Sequence, residues 1–310
     1  MNGSLYGMEK LEVQAMNTIS AVAKRFAPEI MMSICQTMTH GQAYRLGDRL
    51  ASLVVRHTPL LPLGVMRSNL SIILGVPESD PRLEAALLRF IKNLYCSYVD
   101  FFKALRGGKE RIVESIDFPP AQRRKISDLI ACGRSVVLVG PHCCGFDIGI
   151  IALKDWFPEV QLLSKADPEG EYKFMHQLRL RFGLNMTPIS AGSLRQAVRR
   201  LKEGGIIVIA NDLPVSDGCT FELFGKEARL TTGHARLALT SDAVMMMVLT
   251  HRVSPGRYQV TLAEIPRPDP TGDRDTDAIR WAQRSYGCLE KYIRRWPDEW
   301  YGLMMDIFEG

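Results

Sequence analysis

The sequence predicts an α/β fold: a largely parallel central sheet flanked by helices, with an N-terminal helical region. Three observations carry that expectation. Up to about residue 105 the apolar residues recur at three- and four-residue spacings. After about residue 120, short valine- and isoleucine-rich runs alternate with amphipathic stretches. The first of those runs, "SVVLVG" at 135–140, is apolar almost throughout, as a strand buried on both faces is. The matching organisation is residues 1–105 as a helical region packed on the core and residues 106–310 as the α/β core, in one continuous domain.

Each element has its own local reason. "PRLEAALLRFIKNLYCSYVDFFKAL" (81–105) is a partly buried helix, and Ser79, Asp80 and Pro81 before it read as cap and first turn. Proline and glycine in "HTPLLPLG" (57–64) break the helices upstream. "PAQRRKISDLIACG" (120–133) is a helix ending at Gly133. Strands follow at "SVVLVG", "EVQLLSK" (159–165), "IIVIAND" (206–212) and "AVMMMVLTHR" (243–252), and "RYQVTLAEI" (257–265) alternates as a more exposed strand. Helices are expected at 171–183, 193–205 and 233–242. The amphipathic 277–296 closes the chain.

Composition limits the function. The 310 residues are 46% hydrophobic and 24% charged, which excludes a disordered or fibrous chain. The net charge of +5 is spread without a long basic block, so no nucleic-acid partner is expected. Solvated helix faces account for the spread, and a basic rim for an acidic partner stays open. The seven cysteines, at 35, 96, 132, 143, 144, 219 and 288, have no CxxC spacing and form no disulfide framework, which points to reduced thiols in the cytoplasm. No apolar run approaches 18 residues, and no secretory leader is recognisable. Residues 8–40 can form amphipathic helices, which leaves peripheral contact with the inner face of the cytoplasmic membrane open.

"VLVGPHCCGFDIGII" (137–151) carries the chemistry. His142 and Asp147 follow a buried strand, where open α/β sheets place their sites. Across a strand-to-helix turn, Asp147 is expected to come back under the imidazole and hold it as a general base. Adjacent Cys143 and Cys144 diverge and make a poor chelate, so no metal is expected. A thiol nucleophile on Cys143 is the competing reading, against small apolar packing.

"HCCGFD" followed by "ANDLPVSDGCTFELFGKEARLTTGHARLAL" (210–239) resembles the lipid A biosynthesis (late, or secondary) acyltransferase family, which includes the acyltransferases of mycobacterial phosphatidylinositol mannosides. "MRSNLSIILG", "NLYCSYVDFF" and "RWPDEWYGLMMDIF" resemble further family elements, so the likeness covers roughly residues 40–308. It implies His142 and Asp147 as the catalytic dyad. It implies an electrostatic role near the substrates for Arg181, with Arg179 as the register alternative. Asp212, Phe224, Gly225, Thr232 and Gly233 fall on family positions at the cleft. His234 and His251 are expected in packing. Two departures stand out. Lys24, Arg25 and Glu29 break the membrane-anchoring helix usual in the family, and Ala210 replaces a glutamate of the mannoside branch.

The resulting expectation is an acyltransferase. It takes a fatty or polyketide thioester, on acyl carrier protein or CoA, and needs no cofactor. The acceptor is a hydroxyl or amine of a specialised metabolite. The alternatives are a peripheral membrane lipid A or glycolipid acyltransferase and, in another class, a non-catalytic acyl-chain or carrier-protein binding module. Arg195, Arg199 and Arg200 are expected to dock the carrier at the cleft mouth, while Phe146, Trp156 and Phe224 are candidates to line an acyl tunnel.

Overall fold

The computed structural model describes residues 32–57, 61–164 and 171–308. Residues 1–31 lie outside it, so most of the expected amphipathic stretch 8–40 and all of Lys24, Arg25 and Glu29 fall outside the described residues. Helices α1 (His40–His57), α2 (Leu63–Leu74), α3 (Pro81–Arg106) and α4 (Gly108–Glu114) come first. A short strand β1 (Ile116–Asp117) and helix α5 (Pro120–Ala131) lead into β2 (Val136–Gly140), α6 (Phe146–Trp156), β3 (Gln161–Ser164), α7 (Glu171–Arg181), β4 (Asn185–Pro188), α8 (Ala191–Lys202) and β5 (Ile206–Ala210). A hairpin of β6 (Cys219–Leu223) and β7 (Lys226–Leu230) precedes α9 (Gly233–Ser241), β8 (Val244–Ser254), β9 (Arg257–Glu264) and α10 (Arg274–Arg295).

The seven-stranded sheet has the order β1-β9-β8-β2-β5-β3-β4. Its pairs are parallel except β8 with β9. Side chains of successive strand residues leave on opposite faces, so each central strand feeds two cores. Val137, Val139, Ile207, Ile209, Met245 and Met247 face one layer, with apolar residues of α8, α9 and α10. Val136, Leu138, Ile206, Val208 and Met246 face the other, with α5, α6 and α7. Helix α3 contributes to both: Leu87 and Phe90 go to the first, Val99 and Phe102 to the second. The helical region and the sheet therefore share their cores. Asp80 caps α3 by accepting from the Arg82 N–H, with proline in the first turn, as its sequence expects.

The β1, β4 and β6–β7 strands were not legible as strands. β1 is two residues long, and β4 is exposed or half-buried throughout, so neither leaves an apolar run to read. The hairpin turns on Phe224 (φ 56°) and Gly225 (φ 77°), both left-handed. A two-residue turn with two positive φ values usually carries Asn-Gly or Asp-Gly, so Phe-Gly gives a weak signal. The Phe224 N–H donates to Glu290 Oε2 (3.1 Å), and its ring packs near Trp300 and Phe308.

Among the described residues no helix is long and apolar enough to cross a membrane.

Candidate active site

Strands β2 and β5 lie side by side and parallel, with Gly140 opposite Ala210. His142 and Asp212 each stand two residues beyond that pair, so equal offsets from adjacent strand ends bring them together. The His142 ring Nδ1 is 2.8 Å from Asp212 Oδ1, and the His142 main-chain N–H donates to Asp212 Oδ2 at 2.8 Å. The Asp212 side chain is 0% exposed and the imidazole 26%. Burial alone would push the Asp212 carboxyl up. The charge and hydrogen bonds of His142, with a donor from Trp300, outweigh it and hold the group below its ordinary value.

This corrects the expected partner of His142. Asp147 does not come back under the imidazole, because it sits in the first turn of α6 and turns towards α7. There its Oδ1 accepts from Arg179 Nε at 2.6 Å, in a pair whose side chains are 15% and 17% exposed. The Arg179 guanidinium lies 5.7 Å from the Phe146 ring centre, and Phe146 packs against the His142 ring at 4.9 Å. Asp147 and Arg179 thus form a second charged pair beside the first.

Of the two register alternatives, Arg179 faces the site and Arg181 is exposed at the end of α7. Thr232 and Gly233 begin α9. Thr232 Oγ1 accepts from Arg236 Nε, and the Gly233 N–H donates to Thr231 Oγ1, so both serve the local turn. Phe224 and Gly225 occupy the hairpin turn, where Phe224 packs behind Trp300 rather than against His142. Helix α8 runs from the carboxyl edge of the sheet back to the start of β5. Arg199 and Arg200 in its last turn therefore lie at the edge opposite His142, against the expected cleft-mouth docking. Arg200 also pairs with Glu159 (2.9 Å), and Arg195, nearer the helix start, is exposed.

Beside His142 a narrow apolar slot runs along α6, lined by Pro141, Phe146, Ile150, Leu153 and Trp156, with Ala210, Val248 and Val260 from the sheet. Phe146 and Trp156 line it, and Phe224 does not. Its free space is about 30 Å³, room for a water or two and too little for an acyl chain.

The loop after β2 is held from several sides. Gly145 has φ 76°, and a Cβ there would meet the Tyr258 ring at 2.2 Å, so both conformation and space require glycine. Its N–H donates to Ser97 Oγ (3.0 Å), which also accepts from the Tyr301 hydroxyl. The closing segment after α10 crosses the same loop: the Cys144 N–H donates to Glu299 O, and the Tyr301 N–H to His142 O, both at 2.9 Å. Trp300 Nε1 donates to Asp212 Oδ2 at 2.9 Å. In the sequence this segment stands out only as a family element, and the one signal for Trp300 is that a buried tryptophan needs a partner for its N–H.

Cys143 and Cys144 are buried, and burial pushes both thiols above the ordinary range. Cys143 Sγ donates to Thr250 O at 2.8 Å, as a packed thiol rather than a nucleophile. Cys143→Ala and Cys144→Ala should each keep most of the wild-type turnover. Loss of turnover together with a thioester trapped on either sulfur would reverse that assignment. His234 is 0% exposed, bonded to Ser285 Oγ and pushed down to about 3 by burial, so it is a neutral core residue. His251 stacks on Trp296 at 4.1 Å.

Glu299 is 7% exposed, and burial pushes its carboxyl up to about 7. The folded protein then keeps the proton where the unfolded chain ionises. This stability is fully present below the ordinary glutamate value of 4.5 and is lost as pH rises through about 7. In Glu299→Gln the amide oxygen still accepts the Arg252 N–H that Oε2 now takes. The variant should match wild type near pH 4 and exceed it at pH 8, on the order of 1–3 kcal/mol by the difference in pKa. Denaturant unfolding at the two pH values checks this.

The description "Bacterial lipid A biosynthesis acyltransferase" belongs to the family that matches residues 17–305. The phosphatidylinositol mannoside acyltransferase of Mycolicibacterium smegmatis is 23% identical over 189 residues, covering 59% of this chain and 61% of that protein. That of Mycobacterium tuberculosis is 22% identical over 192 residues, 58% of each. The chain spans about three fifths of the length of these curated relatives. With the family match running over nearly the whole chain, this protein belongs to the bacterial lipid A biosynthesis acyltransferase family.

Proposed function

We propose that the chain transfers an acyl group from a thioester, on acyl carrier protein or CoA, to a hydroxyl of a glycolipid. The observation that carries this reading is the half-buried imidazole of His142 backed by the fully buried carboxylate of Asp212. With Nδ1 held by Asp212, Nε2 takes no hydrogen bond from the described residues and is the ring's working nitrogen. An acceptor O–H gives its proton to Nε2 while the oxygen attacks the thioester carbonyl. The tetrahedral intermediate collapses with loss of the C–S bond, and the imidazolium returns the proton to the departing thiolate. The products are an ester and a free thiol, with no acyl-enzyme. Asp212 sets the tautomer and supports the transient imidazolium. Arg179, fixed by Asp147, supplies positive charge near the reacting groups.

For the acceptor, the names of the relatives favour a glycolipid of the phosphatidylinositol mannoside class over the specialised metabolite first expected. Ala210, which replaces the glutamate of that branch, lines the slot beside His142 and is where acceptor preference would differ. A membrane acceptor also fits the outer face of α1, where exposed Leu53 follows exposed Arg45 and Arg49 at four-residue spacing. The test is release of free thiol and formation of acylated lipid, by mass spectrometry. Palmitoyl-CoA and palmitoyl-carrier protein are the donors; phosphatidylinositol mannoside and lipid A precursors are the acceptors. Product from wild type and none from His142→Ala supports the reading, and thiol release equal in both would overturn it.

A further inference from the structure

The proposed base and its carboxylate are joined by a third side chain that takes no part in proton transfer. We propose that Trp300 is a positioning residue for the His142–Asp212 pair, its indole N–H fixing the carboxylate so that Oδ1 faces the imidazole. The proposal rests on the reading of His142 as general base.

The carboxylate has no freedom left when all donors are counted. Oδ1 meets His142 Nδ1, and Oδ2 accepts both the His142 main-chain N–H and Trp300 Nε1–H. Rotation about the last side-chain torsion would break two of these at once. The indole can only donate, so it cannot compete with the imidazole for the transferred proton. A donor to an ionised carboxylate in a dry site is also among the stronger hydrogen bonds.

Trp300 is itself fixed. It is 1% exposed, and Gly302 leaves the space its ring fills: a Cβ at Gly302 would stand 2.2 Å from the indole. On the other side the Phe224 ring packs at 6.2 Å. An isolated bridge between Cys143 and Trp300, flanked by the Cys144–Glu299 and Tyr301–His142 hydrogen bonds, locks the residue's backbone to the loop that carries His142. The closing segment thus reaches both members of the pair, His142 through main chain and Asp212 through the indole.

A space-filling tryptophan predicts something different, so the test removes the N–H and keeps the ring. Trp300 is replaced by its benzothiophene analogue, sulfur for N–H, through genetic code expansion, with Trp300→Phe alongside. Loss of one hydrogen bond to a charged group should lower kcat on the order of tenfold, leave KM within about twofold, and lower the melting temperature of the analogue protein by only a few degrees, so that it stays folded. The groups facing Asp212 are His142 and the neutral Cys143 thiol on the loop, the Tyr286 hydroxyl on α10 and Trp300 itself. Without the indole donor, burial lifts the Asp212 carboxyl, so the acidic limb of the kcat profile should move to higher pH. The low-field proton resonance of the His142 Nδ1–H should shift as well. Wild-type kcat and an unmoved profile in the analogue would overturn the proposal. If wild type transfers no acyl group from any donor, the function reading fails, and the resonance still decides this one: unchanged in the analogue, it rules out positioning by Trp300.

Discussion

His142→Ala should abolish acyl transfer, with kcat falling on the order of 10³–10⁴-fold, the scale of losing a general base. The fold should survive. The two main-chain hydrogen bonds of residue 142, its N–H to Asp212 and its carbonyl from Tyr301, do not depend on the side chain. Asp212 keeps Trp300 and that N–H as donors, so the buried carboxylate is not orphaned. Losing its third donor and the imidazole still costs about 1–3 kcal/mol. The check is thiol release in single-turnover experiments, with circular dichroism to confirm folding. Turnover within tenfold of wild type would mean that the acceptor is deprotonated elsewhere, and the pairing with Asp212 would then be structural.

Much of this architecture was legible because it follows from burial. The runs at 135–140, 206–212 and 243–252 are apolar on both faces, and that pattern in a chain of alternating helices leaves little but a parallel sheet. Position was legible too: His142 at the end of a buried strand was expected at the carboxyl edge, and it is there. Partnership was not. The sequence shows strand ends followed by "PH" and by "ND" at equal offsets, yet nothing local says that β2 and β5 are neighbours. That fact lives in the strand order, with β5 inserted between β2 and β3, and only it makes Asp212 closer to His142 than Asp147 is. A five-residue spacing was the nearer carboxylate in sequence and the wrong one in space. The same reason hid Trp300, which is 88 residues beyond the carboxylate it holds. Arg179 and Arg181 differ by two positions on one helix, about 200° apart around its axis. Only the packing of α7 on α6 shows which of them faces inward.

The two aspartates should therefore fail in different ways. Asp212→Asn keeps the shape but offers an amide where the site needs an acceptor for three N–H groups. Whichever way the amide turns, its NH₂ meets a donor. If it meets Nδ1, the imidazole is driven to the tautomer with its proton on Nε2, which cannot take one from the acceptor. We expect kcat to fall on the order of 10³–10⁴-fold, the loss seen when a base loses its orienting carboxylate and tautomer. Asp147→Asn leaves His142 and Asp212 paired and instead releases Arg179 from a half-buried ion pair. Its expected loss is on the order of tenfold to a hundredfold, as for losing one charged stabilising group. A double-mutant cycle separates the two. Asp147→Asn and Arg179→Met remove the same pair, so combining them should cost little more than either alone. Asp147→Asn in the Asp212→Asn background should still cost nearly its full factor if the pairs act independently. Full multiplication within the Asp147–Arg179 cycle, with none between Asp147 and Asp212, would return Asp147 to the imidazole and overturn the assignment read from the strand order.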